Sequence, residues 1–154
     1  DIVELEPAVV TGSRFFHQPE EDPLADPRVT LHMEDARTLL SHGAGRYGVV
    51  ISEPSNPWIA GVNNLFTVDF YRRVRTRLEP DGVFCQWLQL YELSPRTFKS
   101  LLASFLEVFP DAYLFTLPGA TDALLLAAPP GRSLSLACPA LISLQPSGLR
   151  TPEA

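Results

Sequence analysis

The chain has 154 residues, 45% of them hydrophobic, and a formal net charge of −6 at neutral pH. Its length allows one domain with a real core, and its composition is typical of globular rather than disordered chains. The acidic balance argues against a nucleic-acid partner. No apolar run reaches the roughly 18 residues of a membrane span, and the two cysteines lack the spacing of metal ligands.

The first third of the chain predicts alternating strands and helices. A short buried strand is expected over 1–5, and Glu6–Pro7 begins a helix because proline is favoured in a first turn. The acidic, proline-rich stretch 18–27 is typical of a loop. Apolar and polar residues alternate over 28–33, which predicts a second strand, and Asp35 is placed to cap a short helix.

The middle of the chain continues this alternation. Residues 47–52 form a strand pattern with a β-branched centre. A polar loop interrupted by prolines follows over 53–64, and Thr67 is placed to cap a helix. The Pro-Asp-Gly sequence at 80–82 predicts a turn, and 83–90 predicts the next strand.

The last predicted elements are a helix and a pair of strands. Ser94–Pro95 supplies a cap and a first-turn proline, and the apolar spacing after it fits a helix that covers a sheet. Strands are expected over 112–117 and 122–128. From there onward prolines interrupt Ser, Leu and Ala without a period, which predicts a poorly ordered tail over 129–154.

This order of elements predicts an α/β fold with a mostly parallel sheet and an antiparallel final pair. In such folds ligands bind beyond the carboxyl ends of strands, so the loop over 53–64 is the leading candidate for a functional site. Cys85 lies in an apolar strand pattern and is most simply a small buried hydrophobe. The three histidines lie far apart and are interpreted as structural or surface residues.

Five sequence runs resemble the spermidine synthase (polyamine aminopropyltransferase) family. They are VELEPAVV over 3–10, EDA over 34–36, EPSNPW over 53–58, LFTVDFY over 65–71 and GVFCQ over 82–86. The resemblance implies a Rossmann-like class I S-adenosylmethionine-dependent methyltransferase fold over 1–128. That fold is expected to be partial, because the family's first strand and Gly-rich donor loop have no counterpart here. We therefore expect this polypeptide alone to be poorly stable or inactive.

The resemblance assigns chemistry to the loop at 53–58. The family's reaction is the attack of a neutral amine on the methylene beside a sulfonium, and Glu53 stands where the family has its catalytic aspartate. Its carboxylate is the expected general base, which orients and deprotonates the amine, and its extra methylene moves the oxygens by roughly an ångström. Asn56 stands where the family has a second acid, so we expect a diamine to be held less well, or another acceptor to be preferred.

The resemblance also implies contacts for the two substrates, and no metal site is expected from the spacing of the cysteines and histidines. Glu4 is expected to bind the ribose hydroxyls of the donor through its two carboxylate oxygens. Asp35 and Ala36 are expected to meet the adenine of the donor, with the alternative that Asp35 is only a helix cap. The expected contacts of the acceptor are Asn56, Gln86 and Tyr91.

The leading interpretation is a transferase that moves an aminopropyl group from decarboxylated S-adenosylmethionine to a polyamine acceptor such as putrescine. No cofactor is expected to be tightly bound, because the donor is a co-substrate. Two alternatives stay open: methyl transfer from S-adenosylmethionine itself, and a non-catalytic ligand-sensing domain.

The EPSNP form of the loop resembles spermidine synthase-like domains that are fused to membrane transporters. A fused or associated transporter domain and a homodimer are therefore further expectations. The expected location is the cytoplasm, as a separate protein or as the cytoplasmic domain of a membrane protein. The expected partner is a small-molecule amine, with no nucleic acid.

Overall fold

The computed structural model describes residues 1–16, 18, 21–116, 119–132, 134, 141–145 and 148–150. The chain divides into two compact units, Asp1–Ala44 and Gly45–Ala154. Each unit contains its own pair of parallel strands.

The first unit alternates strands and helices. Its elements are β1 (Ile2–Glu4), α1 (Pro7–Ser13), a short 3-10 turn (Pro23–Ala25), β2 (Leu31–Met33) and α2 (Ala36–His42). β1 and β2 pair in parallel, with Val3 opposite His32. This strand–helix–strand–helix order confirms the prediction from the sequence.

Side chains at the helix starts explain where α1 and α2 begin. The Glu6 carboxylate accepts a hydrogen bond from the N–H of Ala8, and Pro7 occupies the first turn, where its missing N–H is not needed. Asp35 Oδ1 accepts from the N–H of Thr38 at 3.0 Å. Asp35 is therefore the N-cap of α2, as its position in the sequence predicts.

The second unit is built on a larger sheet. Its elements are β3 (Tyr47–Ser52), a 3-10 helix (Val62–Phe66), α3 (Val68–Arg77), β4 (Leu78–Gln89), α4 (Pro95–Val108), β5 (Tyr113–Phe115), β6 (Asp122–Ala127), β7 (Leu141–Gln145) and β8 (Gly148–Arg150). Within the described ranges the strands form a six-stranded sheet in the order β3-β4-β6-β5-β7-β8. β3 and β4 are parallel and the other neighbouring pairs are antiparallel. The antiparallel pairing of the final predicted strands, β5 and β6, is confirmed, whereas the expectation of a mostly parallel sheet is wrong for this unit, because β6 also pairs antiparallel with β4.

α3 and α4 pack on one face of this sheet through a cluster of aromatic side chains. The ring of Phe84 on β4 lies 5.6 Å from Phe105 of α4 and 6.0 Å from Tyr71 of α3, measured between centroids. Tyr71 and Phe105 meet edge to face at 5.0 Å, a favoured geometry for aromatic pairs. The buried members of the cluster are Phe70, Tyr71, Phe84, Phe105 and Phe109. Phe84 thus packs β4 against both helices.

The start of β4 departs from the predicted Pro-Asp-Gly turn. β4 begins at Leu78, opposite Tyr47, and its next partner Val83 lies opposite Val49. The residues between them therefore bulge out of the ladder instead of forming a separate turn. At Gly82 a Cβ atom would lie 2.9 Å from the carbonyl oxygen of Tyr47, so glycine allows the bulge to approach β3 this closely.

The segment from residue 129 onward departs from the predicted poorly ordered tail. Among its described residues, β7 pairs with β5, with Ser143 opposite Tyr113, and β8 pairs with β7. An unpaired edge of β5 offers its backbone N–H and C=O groups to an added strand. The apolar run at 141–144 supplies that strand, although the prolines around it obscure the pattern. Most of the remaining segment lies outside the described residues.

Two kinds of feature are absent from the part of the chain that the structure describes. None of its helices combines the length and the apolar character needed to cross a bilayer. No group of three or more His, Cys, Asp or Glu side chains is arranged there to hold a metal ion.

Removing the buried hydroxyl of Tyr71 should reduce the stability that the protein loses at alkaline pH. Burial raises the pKa of Tyr71, because its phenolate is poorly solvated within the aromatic cluster. The unfolded chain releases this proton near pH 10 and the folded chain only at higher pH. The free energy of unfolding should therefore fall as the pH rises above about 10, and the fall should be smaller in Tyr71→Phe.

Urea unfolding at about pH 8 and at about pH 10.5 measures this difference. Tyr91→Phe removes the hydroxyl of a ring that is 42% exposed and is the matched control for the loss of a tyrosine hydroxyl outside the aromatic cluster. An equal loss of stability in wild type and Tyr71→Phe would contradict the prediction.

Candidate active site

The loop after β3 leaves the sheet at the carboxyl end of two parallel strands. Ser52, the last residue of β3, lies opposite Gln86 of β4, so the loop and the end of β4 share one edge of the sheet. Pro54 and Pro57 in the loop are buried, whereas Glu53 is exposed. Two buried prolines with fixed φ angles anchor the loop and leave the Glu53 carboxylate open to solvent.

The negative charge of Glu53 interacts electrostatically with the thiol of Cys85. Cys85 lies on β4 opposite Ile51 of β3 and is half-buried. Burial and, second, the negative charge of Glu53 raise the pKa of the Cys85 thiol, since both disfavour a thiolate. Cys85 is therefore a half-buried thiol, less enclosed than the small buried hydrophobe that the apolar pattern predicts.

Gln86 joins the ends of β3 and β4. Its side chain is completely buried, and its Nε2 donates to the carbonyl of Trp87 at 3.1 Å and, over a longer 3.4 Å, to that of Ser52. Within the described residues, its buried Oε1 has no hydrogen-bond partner, and the same holds for Oε1 of Gln89. Buried acceptors without a donor are destabilising, so a donor supplied by a bound molecule would stabilise this end of β4.

Asn56, Trp58 and Tyr91 form what we call the aromatic corner. The Tyr91 hydroxyl donates to Oδ1 of Asn56 at 3.5 Å, a long hydrogen bond. The rings of Trp58 and Tyr91 meet edge to face with centroids 6.2 Å apart. Glu92, next in the chain, has a left-handed backbone with φ 57°, which is uncommon for a residue other than glycine. The aromatic corner thus ties the loop after β3 to the turn after β4.

In the first unit, Glu4 and Asp35 lie at the carboxyl edge of the two-stranded sheet. Glu4 ends β1 opposite Met33 of β2, and Asp35 follows β2 by two residues. Glu4 Oε1 accepts from the N–H of Glu6 at 2.8 Å, and Asp35 caps α2, whose first residue is Ala36. Both carboxylates are half-buried, so each is engaged by the local backbone and still reached by solvent.

The structure gathers the predicted site residues into two groups, one in each unit. The first group is Glu4, Asp35 and Ala36, and the second is Glu53, Asn56, Gln86 and Tyr91. Asp35 caps α2, and both its role toward a donor and the alternative that it is only a cap stay predictions. The sequence did not predict the burial of Gln89. No pattern at the end of β4 indicates which of its side chains are enclosed.

The family model of the spermine/spermidine synthase domain matches residues 1–127. Putrescine N-methyltransferase 3 of Nicotiana tabacum is 34% identical over 110 residues, which are 71% of this chain and 29% of that enzyme. Polyamine aminopropyltransferase of Moorella thermoacetica is 30% identical over 119 residues, which are 76% of this chain and 42% of that enzyme. The chain therefore spans less than half the length of these two relatives.

Solved structures have the same fold. A spermidine synthase in complex with the transition state analogue AdoDATO superposes with a TM-score of 0.68 and 23% identity, over 81% of this chain and 44% of that one. Human methyltransferase-like protein 13 in complex with SAH superposes with a TM-score of 0.64 and 21% identity, over 86% and 62%. These similarities confirm the predicted α/β fold of the class I S-adenosylmethionine-dependent methyltransferase type.

Removing the charge of Glu53 should make the Cys85 thiol easier to ionise. Because this carboxylate raises the thiol pKa, Glu53→Gln should move the midpoint of the alkylation rate against pH downward. Near pH 8 alkylation should be faster in the variant than in the wild type, because a larger fraction of the thiol is then ionised. Mass spectrometry of the iodoacetamide-labelled Cys85 peptide measures the rate without a contribution from Cys138.

Glu92→Gln is the matched control for this measurement. It also removes a carboxylate close to Cys85 in the sequence, but one that does not contribute to the shift of the thiol pKa. Its alkylation profile should match that of the wild type. A wild-type profile in Glu53→Gln would show that the carboxylate and the thiol are not coupled.

Proposed function

Because the chain belongs to the spermine/spermidine synthase family, we propose that it forms part of a transferase that acts on polyamines with a donor derived from S-adenosylmethionine. The reaction we favour is aminopropyl transfer from decarboxylated S-adenosylmethionine to an acceptor such as putrescine. The observation that carries this proposal is the exposed Glu53 carboxylate, at the carboxyl end of β3 and beside the end of β4. Similarity to a polyamine aminopropyltransferase supports the reaction class.

In this reaction the acceptor nitrogen attacks the carbon beside the sulfonium of the donor. The new N–C bond forms as the C–S bond breaks, the electron pair of that bond passes to sulfur and neutralises it, and the nitrogen gives up a proton. An amine that arrives protonated must lose a proton before its lone pair can attack. Glu53 is proposed to orient the amine and accept this proton, and its exposure lets the acceptor reach it.

The donor is proposed to bind through residues of the first unit. Glu4 would accept hydrogen bonds from the ribose hydroxyls, and Asp35 would accept one from the adenine amino group. Ala36 would donate its N–H, which has no acceptor within the helix because it opens α2. The hydrogen bonds seen for Glu4 and Asp35 each engage a single oxygen, which supports a second partner for each carboxylate.

The acceptor is proposed to bind in the second unit at Asn56, Gln86 and Tyr91. The hydrogen bond between Tyr91 and Asn56 supports this, since it joins the loop that carries Glu53 to the turn after β4. The buried Oε1 of Gln86, which lacks a donor among the described residues, would accept from an amine N–H.

Four further properties concern the whole protein. The donor is consumed in every turnover, so it is proposed to exchange as a co-substrate rather than to stay tightly bound. Residence in the cytoplasm, attachment to a membrane transporter and formation of a homodimer are proposed on the sequence resemblance alone.

Methyl transfer is the second candidate, because a putrescine N-methyltransferase is among the relatives. In that reaction the nitrogen attacks the methyl carbon of intact S-adenosylmethionine, and the same base would take the proton. The donors differ by one carboxylate. Incubating the full-length protein and putrescine with each donor in turn distinguishes the two reactions by the mass of the product.

Glu53→Gln is expected to lower kcat about 10²–10⁴-fold, the usual contribution of a general base, because an amide cannot accept the proton. Donor affinity, measured by calorimetry on the full-length protein, should not change. Glu79→Gln, at the opposite end of β4, is the matched control and should keep wild-type turnover. If Glu53→Gln also turns over at the wild-type rate, Glu53 is not the base.

A further inference from the structure

The acceptor end of the candidate site carries little negative charge. The loop over 53–66 contains one carboxylate, that of Glu53. Beside it stand uncharged amides: Asn56 is half-buried, and Gln86 and Gln89 are 0% and 6% exposed. A second ammonium brought among these amides would gain no carboxylate partner from the loop.

Two other acids lie beside this edge without joining the aromatic corner. Glu92 follows Tyr91 and is exposed, and Asp122 lies opposite Gln89 at the start of β6. The hydrogen bond of the aromatic corner runs between two uncharged groups, the Tyr91 hydroxyl and the Asn56 amide. The corner itself is therefore neutral.

The aromatic corner offers a kind of recognition that does not require an ion pair. Trp58 is 46% exposed and Tyr91 is 42% exposed, and each holds the other in an edge-to-face arrangement. Exposed rings of this kind bury the methylenes of an alkyl chain and also attract a cation without neutralising it. The Asn56 amide can donate or accept, so it suits a hydroxyl as well as an amine.

Resting on the proposed function, we propose that the aromatic corner binds the non-reacting end of the acceptor through its alkyl chain and uncharged polar atoms. Glu53 then meets the reacting nitrogen, and the corner tolerates either a second ammonium or a neutral group at the other end. The acceptors of this site therefore include amines with a single positive charge, such as amino alcohols and alkylamines.

The test compares putrescine with 4-amino-1-butanol, in which a hydroxyl replaces one ammonium. In the full-length protein, kcat/KM for the two acceptors should differ by less than about tenfold, and so should their dissociation constants from calorimetry. Asn56→Asp places a carboxylate in the corner and should raise the preference for putrescine by at least about tenfold, because the second ammonium then gains a partner.

Variants of the rings test the role of the alkyl chain. Trp58→Ala should weaken the binding of both acceptors by the same factor, about tenfold, because the chain that it contacts is common to them. Phe15→Ala removes a ring that is 88% exposed in the first unit, which contributes none of the proposed acceptor contacts, so it is the matched control and should bind both acceptors within about threefold of wild type.

Three results would overturn the inference. One is a wild-type preference for putrescine above about tenfold. Another is a loss of affinity confined to putrescine in Glu92→Gln or Asp122→Asn, which would place the second ammonium on those carboxylates. The third is the failure of both amines to bind in calorimetry. Binding of both amines without product from either donor would instead refute the proposed transfer reaction and leave the recognition by the corner standing.

Discussion

The parallel pairing of β3 with β4 is the constraint on which the second unit depends. Its register places Ser52 opposite Gln86, so the loop that begins at Glu53 and the turn that carries Tyr91 leave the sheet at one edge. A slip of one residue would send the side chains of β4 to the opposite faces. It would separate the Gln86 amide from the Ser52 carbonyl and pull Phe84 out of the aromatic cluster, so a single ladder of hydrogen bonds determines both the core and the candidate site.

The aromatic cluster explains why this register is kept. Phe84 is completely buried and contacts both α3 and α4, and removing such a ring costs about 3–5 kcal/mol. Because side chains alternate between the faces of a strand, a buried Phe84 commits Cys85 to the opposite face, where the charge of Glu53 acts on its thiol. The same alternation places Gln86 on the enclosed face with Phe84. The chemistry at the end of β4 is thus a consequence of the packing two residues earlier.

Much of this fold could be predicted because its signals are local. A helix begins directly after Thr67, whose hydroxyl caps it, and the hydrophobic alternation of the strands needs no distant partner. The strand β7 was not predicted, since its stability comes from pairing with β5. In the site, the Glu53 loop was recognisable from its motif. The contact of Tyr91 with Asn56 and the enclosure of Gln86 against Ser52 span 35 and 34 residues of sequence, and only the register brings them together.

Charge at the candidate site is distributed according to burial. The enclosed positions at the end of β4 hold the amides of Gln86 and Gln89, where an unpaired carboxylate would be strongly disfavoured. The carboxylate of Glu53 occupies an exposed position at which water solvates it. In the proposed reaction the acceptor would meet this carboxylate at its reacting nitrogen, and the rest of its length would meet rings and amides whose interactions need no second charge. The proposed selection by the length and shape of the acceptor, rather than by its number of charges, rests on this division.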